Sequence, residues 1–372
     1  MKIVYLLGSL NRGGTETLML DFLSFCKNDT RIKPVLIYRK GGVLEPEFMK
    51  TKAKLIRLGI NNPLFIIAYL LKLRKLLQNE KVQIVHAQQV VDAFFAFFAL
   101  KGTGIKIVLS FHGYDFNYNY ILSKITRFII KHTAVNVFVS KSQSHYYKEK
   151  YCLKDEQVQV VYNGILFDKL NCNNTTTNIR SELNIMADTV LLGMVGSFVA
   201  VRDQFTICEF LKLLNEANID FRFLFVGKES ALEPWRMKQC VDFCRDNGLT
   251  DKVYFLGQRE DVPQILTDLD AFVYATDHDT FGIAVIEAIA AGIPVFVNDW
   301  SVMCEITQYG KLATIYTTKN VASLLNQFEL FLSDQEGYKK YAKFCAQEVK
   351  KLYNIENYVN NLYVLYSLLL VN

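Results

Sequence analysis

At 372 residues, the chain is too long for one ordinary core and fits about two domains at roughly 150 residues each. Hydrophobic residues make up 51% and charged residues 21%, which excludes a disordered chain. Six prolines against 19 glycines exclude Pro-rich or collagen-like sequence. The net charge of +5 hides an imbalance: residues 1–170 hold 25 Lys+Arg and 12 Asp+Glu, a balance of +13, whereas residues 171–372 hold 17 and 25, a balance of −8. A basic face for an anionic partner, membrane or nucleic acid, accounts for this; a drift in surface lysines is the alternative.

The first apolar run, residues 2–7, reads as a buried strand rather than as a signal peptide. It enters Gly8-Ser9-Leu10-Asn11-Arg12-Gly13-Gly14-Thr15 and then a helix with Leu18, Phe22 and Phe25 on one face. The glycine spacing is that of a P-loop, but Gly14 stands where the phosphate-binding lysine belongs, and G-x-G-x-x-G is not met. A dinucleotide oxidoreductase is therefore disfavoured. What remains is a loop offering backbone N–H groups at a helix N-terminus, suited to a phosphate or a sugar hydroxyl, or else an ordinary turn capped by Thr15.

Runs at 34–38, 82–85, 105–111, 135–139 and 158–161 continue a first set of buried strands. Between them, residues 63–78 carry Lys72, Arg74 and Lys75 among leucines. Such a helix either lies on an anionic bilayer or is a core helix with a basic end. The most apolar stretches, 63–71 and 90–100, are well short of the roughly 20 residues that span a bilayer. His112 ends the 105–111 strand and is followed by Gly113; His86 ends another strand. A histidine at the carboxyl end of a strand can bond a substrate hydroxyl or shuttle a proton, and Gly113 favours His112 for that role, leaving His86 a structural one.

After the polar tract 171–178 the pattern restarts, with strands expected at 190–195, 222–226, 252–256, 271–275 and 294–297 and helices alone from 320 to 372. Strand–helix alternation twice over predicts an α/β protein of two Rossmann-like, doubly wound domains. Domain boundaries are expected at 1–168, 169–352 and 353–372, the last a helix packing on the first domain. The eight cysteines are scattered, with no C-x-x-C pair, so free thiols in a reducing cytosol are expected rather than a structural zinc.

The second half opens with Gly196-Ser197-Phe198 and then Arg202, which either forks hydrogen bonds to a diphosphate or is a solvated loop arginine. Asp277-His278-Asp279 has the form of a metal-holding Asp-x-Asp, but a third firm ligand is not evident. From Phe281 to Asn298 the sole charged residue is Glu287, inside a helix apolar on nearly every side. Buried carboxylates need partners. An ionised glutamate only accepts hydrogen bonds, so vicinal hydroxyls would suit it; a narrow solvated stripe is the other reading. Asp279 precedes this helix, and Gly282 allows close approach at its positive end.

Together, Gly13-Gly14-Thr15-Glu16, His112-Gly113, Asn163-Gly164-Ile165, Gly196 through Arg202, Phe255-Leu256-Gly257 and Asp279 through Glu287 make the chain resemble glycosyltransferase family 4 of the bacterial surface-polysaccharide type, retaining enzymes with the GT-B fold. The resemblance runs along essentially the whole chain, loose in each motif and specific in their order. It implies two domains facing a central cleft, the first binding the acceptor and the second the nucleotide sugar. By it, Glu287 would accept from the ribose hydroxyls. Asp279, with Phe281 and Gly282 after it, would hold the donor sugar. Arg202 would meet the diphosphate, Gln258 would border the base, Gly13 and Gly14 the phosphate and acceptor, and His112 the sugar near its anomeric carbon. The family's Glu–seven residues–Glu pattern begins here with Asp279, and Ser197 replaces a second cation.

The implied activity is transfer of a hexose-type sugar from a UDP- or GDP-sugar to a hydroxyl of a glycan or lipid-linked acceptor, in polysaccharide, lipopolysaccharide or capsule synthesis, with no cofactor and no metal. An epimerase of the same fold, or a non-catalytic binding module, stays open. Partners expected are the nucleotide sugar, the acceptor and an anionic membrane surface, not nucleic acid, because no RNA-reader motif is present. A cytoplasmic protein is expected, with attachment to the inner face of the cell membrane left open.

Overall fold

The computed structural model describes residues 1–60, 63–170 and 178–371. The chain divides into two compact units, Met1–Ile165 with Tyr353–Asn372, and Leu166–Leu352. Most of the polar tract 171–178 lies outside the described residues, as does Cys172; the seven cysteines among the described residues are free thiols.

The first unit runs β1 (Lys2–Ser9), α1 (Gly14–Cys26), β2 (Lys33–Lys40), α2 (Glu45–Lys50), β3 (Lys54–Arg57), α3 (Ile66–Asn79), β4 (Ile84–Ala87), α4 (Val90–Leu100), β5 (Lys106–Phe111), α5 (Tyr120–Ile129), β6 (Val135–Phe138), α6 (Lys141–Tyr151) and β7 (Val158–Val160). All seven strands are parallel, in the order β3-β2-β1-β4-β5-β6-β7. Both faces of such a sheet must be covered, which is why its strands read as unbroken apolar runs. Alternation along β1 divides the labour. Val4 and Leu6 join Leu73, Leu77, Ala93, Ala96 and Ile129 under α3, α4 and α5, while Tyr5 points the other way, its ring 4.9 Å from Phe22 of α1.

The second unit runs α7 (Ile179–Glu182), β8 (Val190–Val195), α8 (Gln204–Glu216), β9 (Phe221–Val226), α9 (Trp235–Asp246), β10 (Val253–Gly257), α10 (Val262–Asp268), β11 (Ala271–Tyr274), α11 (Ile283–Ala290), β12 (Val295–Asn298), α12 (Ser301–Ile306), β13 (Thr314–Tyr316), α13 (Val321–Ser333) and α14 (Gln335–Leu352). Its sheet is also all parallel, β10-β9-β8-β11-β12-β13. Both sheets reverse their winding beside their first strand, between β1 and β4 and between β8 and β11. At such a point the loops beyond the carboxyl ends leave a crevice for a ligand.

The last helix, α15 (Ile355–Val371), belongs to the first unit. It enters through a bridge between Ile165 and Asn354. Gly164 makes that approach possible: a Cβ there would sit 2.6 Å from Tyr358 Cβ and 2.7 Å from Ile355 Cα. Deeper in, the Tyr366 hydroxyl lies 3.0 Å from that of Tyr5 and 2.5 Å from His86 Nδ1. Every strand expected from sequence is present within two residues at either end. Two were not foreseen, β3 and β13, of four and three residues, each at a sheet edge.

Candidate functional site

In the second unit, three glycine turns stack beyond neighbouring strands. Gly196 N donates to Val226 O and Gly227 N to Gly257 O, both at 2.8 Å. A Cβ on Gly227 would lie 2.1 Å from Gly196 O, so only glycine lets these backbones approach.

Beyond β8, Arg202 lies along Gly196, its Nε 3.1 Å from where a Cβ would stand. Its side chain is 18% exposed, and Nη1 is 3.0 Å from Asp279 Oδ2. The guanidinium carbon sits 5.2 Å from the centre of the Tyr274 ring, a cation–π arrangement. Burial works against this charge, but the neighbouring Asp279 carboxylate holds Arg202 above its ordinary pKa. The Tyr274 hydroxyl donates to the same Asp279 oxygen at 2.7 Å, and burial foremost keeps that phenol protonated. Asp279 Oδ1 accepts from Thr280 N at 2.9 Å, and Trp300 Nε1 donates to the Asp279 carbonyl at 3.0 Å. Arg202 Nε and Nη1 are both buried and neither makes a hydrogen bond, the Nη1–Asp279 contact being an ion pair alone. A buried donor without an acceptor is costly and is what an incoming anion would satisfy.

Thr276 and Asn298, buried at the ends of β11 and β12, brace this cluster. Asn298 Oδ1 accepts from Thr276 N at 3.0 Å, and Thr276 Oγ1 donates to Val201 O at 2.5 Å. Neither was singled out in the sequence, nor was Tyr274. Their common signal is a polar group at the carboxyl end of an apolar strand.

α11 starts at Gly282, whose φ of 77° is left-handed and costs L side chains energy. A Cβ there would also meet Met303 Cε at 2.7 Å. Glu287 is half-buried on this helix, between buried Ile286 and Ala288. Phe281 is buried in the core, so its ring is packing and its backbone is what a ligand can reach. Ser197 is half-buried, its carbonyl accepting from Gln204 Nε2 at 3.1 Å. Gln258 is exposed just after β10. The neighbouring Arg259 is committed to Glu182 and Asp261. Asp277 pairs with Lys319 at 3.2 Å, so both carboxylates of the Asp-x-Asp are spent on cations.

In the first unit, Gly13 is the N-cap of α1, with no side-chain cap, so Thr15 does not fill that role. Glu16 folds back until its Oε2 lies 2.6 Å from where a Gly13 Cβ would be, and burial raises its carboxyl pKa. His112 follows β5, its Nε2 2.8 Å from Gln88 Oε1, and burial lowers its pKa to about 4. It is a neutral imidazole at pH 7. Gln88, beyond β4, is buried, with no hydrogen-bond partner for its Nε2. His86 is wholly buried, bonded to Tyr366 and, at 2.7 Å, to Ser110 Oγ, and its pKa falls to about 3. A glycine is not required at 113 for space, since nothing lies within 4 Å of a Cβ there.

The structure thus brings Arg202, Asp279 and Tyr274 into one cluster within the second unit, with Gly196–Ser197 beside it. Gly13, Gly14 and His112 belong to the first unit, beyond the carboxyl ends of β1 and β5.

Two family models match in tandem: Glycosyltransferase Family 4 over residues 12–168 and Glycosyl transferases group 1 over residues 175–348. The chain belongs to glycosyltransferase family 4. It is 24% identical to the N-acetyl-alpha-D-glucosaminyl L-malate synthase of Bacillus anthracis, covering 82% of this chain and 79% of that one. It is 22% identical to the UDP-Gal:alpha-D-GlcNAc-diphosphoundecaprenol alpha-1,3-galactosyltransferase of Escherichia coli, covering 82% and 80%. Among solved structures, a glycosyltransferase from Rickettsia africae superposes with a TM-score of 0.88 at 18% identity, covering 100% of this chain and 99% of that one. Anabaena HepE in complex with UDP gives 0.85 at 16%, covering 99% of each. The fold is GT-B, and the family 4 chain is a glycosyltransferase.

Proposed function

We propose that this family 4 glycosyltransferase moves a hexose-type sugar, with retention and without a metal, from a UDP-sugar to a hydroxyl of a glycan or lipid-linked acceptor in bacterial polysaccharide, lipopolysaccharide or capsule synthesis. The observation that carries the reading is Arg202, a buried cation ion-paired with Asp279 whose Nε and Nη1 make no hydrogen bond, at the winding reversal of the second sheet. HepE, of the same fold, was solved with UDP and with UDP-glucose, and the E. coli relative is named for a UDP-galactose donor and a diphosphoundecaprenol acceptor; both favour UDP over GDP and a lipid-linked acceptor at a membrane.

In this reading Glu287 accepts from the ribose hydroxyls and Gln258 borders the base. Arg202 Nε and the N–H groups by Ser197 meet the diphosphate, where charge develops as the nucleotide leaves. Fixed donors aimed at that charge lower the barrier without reorganising, the work a divalent cation does elsewhere. Asp279 and the backbone at Phe281 and Gly282 hold the donor sugar. In the first unit, neutral His112 offers a hydrogen bond to a sugar hydroxyl, and Gly13 and Gly14 serve the phosphate or the acceptor.

Purified protein would be incubated with UDP-glucose, UDP-galactose, UDP-N-acetylglucosamine and GDP-mannose in EDTA, and the product's anomeric configuration read by NMR. An α-linked product or released free α-sugar from a UDP donor is expected. A β product would overturn retention, loss of turnover in EDTA the metal independence, and neither binding nor turnover with any donor the enzyme reading itself.

A further inference from the structure

The first sheet reverses its winding between β1 and β4, and the residue that follows β4 is a glutamine. Gln88 extends the ladder by one hydrogen bond, its N donating to Leu6 O at 3.0 Å, so backbone pairing sets its position. The next residue is pinned as well. Gln89 is the N-cap of α4, and its Oε1 accepts from Arg39 Nη2 at 3.2 Å. It lies so close to β1 that a Cβ on Gly8 would be 2.5 Å from that oxygen. Arg39 is in turn held by Asp92 at 2.7 Å.

Gln88 therefore has little freedom, and it is only 2% exposed. One end of its amide is used: Oε1 lies 2.8 Å from His112 Nε2. The other end is not: Nε2 is buried and makes no hydrogen bond. A carboxamide nitrogen carries two hydrogens, and leaving both unbonded away from water is costly. Buried donors in native proteins are nearly always bonded, so an orphan has a cause. The place of this one supplies it. A crevice beyond the carboxyl ends, at a winding reversal, is where an open parallel sheet takes its ligand.

The chemistry narrows the ligand. Burial keeps His112 neutral and a carboxamide carries no charge, so the pair brings nothing to balance a phosphate, which draws charged donors. A hydroxyl needs no such balance and accepts from an amide N–H. The Gln88 oxygen can only accept, so His112 donates to it from Nε2, which fixes the neutral ring as the Nε2–H tautomer.

We propose that Gln88 is a sugar-contacting residue: its amide N–H donates to a hydroxyl of the transferred sugar, while its Oε1 holds His112 in one tautomer. The assignment rests on the reading in which His112 meets that sugar, and it adds a second, directional partner from the first unit. A site built to bond a hydroxyl rejects an analogue lacking it, because the buried donor is then left unpaired. Gln88 thus makes one hydroxyl of the sugar a determinant of donor choice.

The full chain would be titrated with UDP, with whichever of UDP-glucose, UDP-galactose and UDP-N-acetylglucosamine it binds most tightly, and with analogues of that donor lacking one hydroxyl at a time. One analogue should bind about tenfold more weakly than the complete donor. Gln88→Met and Gln88→Leu should each lose about tenfold on the complete donor, little more on that one analogue, and nothing on UDP, since both changes delete the same bond. Nitrogen-15 spectra of histidine-labelled protein should show His112 as the Nε2–H tautomer in the parent and as a mixture in Gln88→Met. Losses that multiply for every analogue would take Gln88 off the sugar. Loss of UDP affinity in both variants would make it a scaffold residue, and an Nδ1–H tautomer in the parent would turn the amide round. Each of these overturns the assignment. A chain that binds UDP but none of the three UDP-sugars would take down the underlying reading, and the assignment with it.

Discussion

Arg202 and Asp279 meet at 3.0 Å in the second unit, a pair that neither side chain's own helix or strand could have supplied. Asp279 is one methylene shorter than the glutamate usual in the family, and it spends Oδ2 on Arg202 and Tyr274 together. Removing it by Asp279→Ala leaves a buried guanidinium uncompensated, which costs about 3 kcal/mol. Urea unfolding of the full chain checks this, with Asp279→Glu expected to recover most of the loss. An unchanged midpoint in Asp279→Ala would show that Arg202 does not depend on the pair.

Glu287→Gln keeps the shape of the side chain and removes its charge. Hydrogen bonds to charged groups contribute about 1.5–3 kcal/mol, so UDP affinity should fall roughly ten- to a hundredfold, with uridine affected in parallel. Calorimetric titration decides it. If uridine binds as before, Glu287 does not hold the ribose.

Gly227→Ala tests the stacked turns. The new methyl must displace Gly196 O, 2.1 Å from its position, and so shifts the turn that Arg202 lies along. UDP affinity should fall at least tenfold although residue 227 offers no side chain to the nucleotide. A structure of the variant with Gly196 unmoved and affinity kept would refute this.

His86, wholly buried, and His112, half-buried, give stability a pH dependence with a definite sign. Burial lowers His86 to about 3 and His112 to about 4, whereas in the unfolded chain both titrate near 6.5. Below about pH 6.5 the unfolded state binds protons that the folded state refuses, so stability is fully present above that pH and is lost as the pH falls toward 4. Asp115, which its Lys150 and tyrosine hydrogen bonds hold low against the opposing effect of burial, has the same sign but acts below the usual carboxylate range. Glu16 and Asp92, whose carboxyls burial raises, have the opposite sign and gain stability as the pH falls, so it is the difference between parent and a histidine variant across pH 6.5 to 5 that reports the histidine. Denaturant midpoints should drop less across that interval in His112→Asn than in the parent; a slope left unchanged by that substitution would exclude His112.

The sequence made the two sheets legible because each central strand is buried on both faces and so is a continuous apolar run. β3 and β13 escaped because their few residues, Lys54–Arg57 and Thr314–Tyr316, carry polar or charged side chains at their ends, whereas β7, equally short and at an edge, lies in a run with valines at 158, 160 and 161. Glu287 was legible as a lone charge in an apolar helix. The pairing of Arg202 with Asp279 was not, since it depends on how far two loops extend beyond their strands. Gln88 is similar: only the fold reveals that it faces His112. His86 and His112 looked alike in sequence, both at strand ends, and they differ because Tyr366 reaches one of them.

That reach has a consequence for how the protein is made. α15 supplies Tyr366 to Tyr5 of β1 and His86 of β4, and the whole second unit is synthesised between them. At about 5–20 residues per second, the ribosome delivers the second unit complete while the first still lacks one wall. The first unit is thus completed only after the second, and until α15 emerges Tyr5, Phe22 and His86 form an open apolar trough on the nascent chain, the place where a chaperone would be needed.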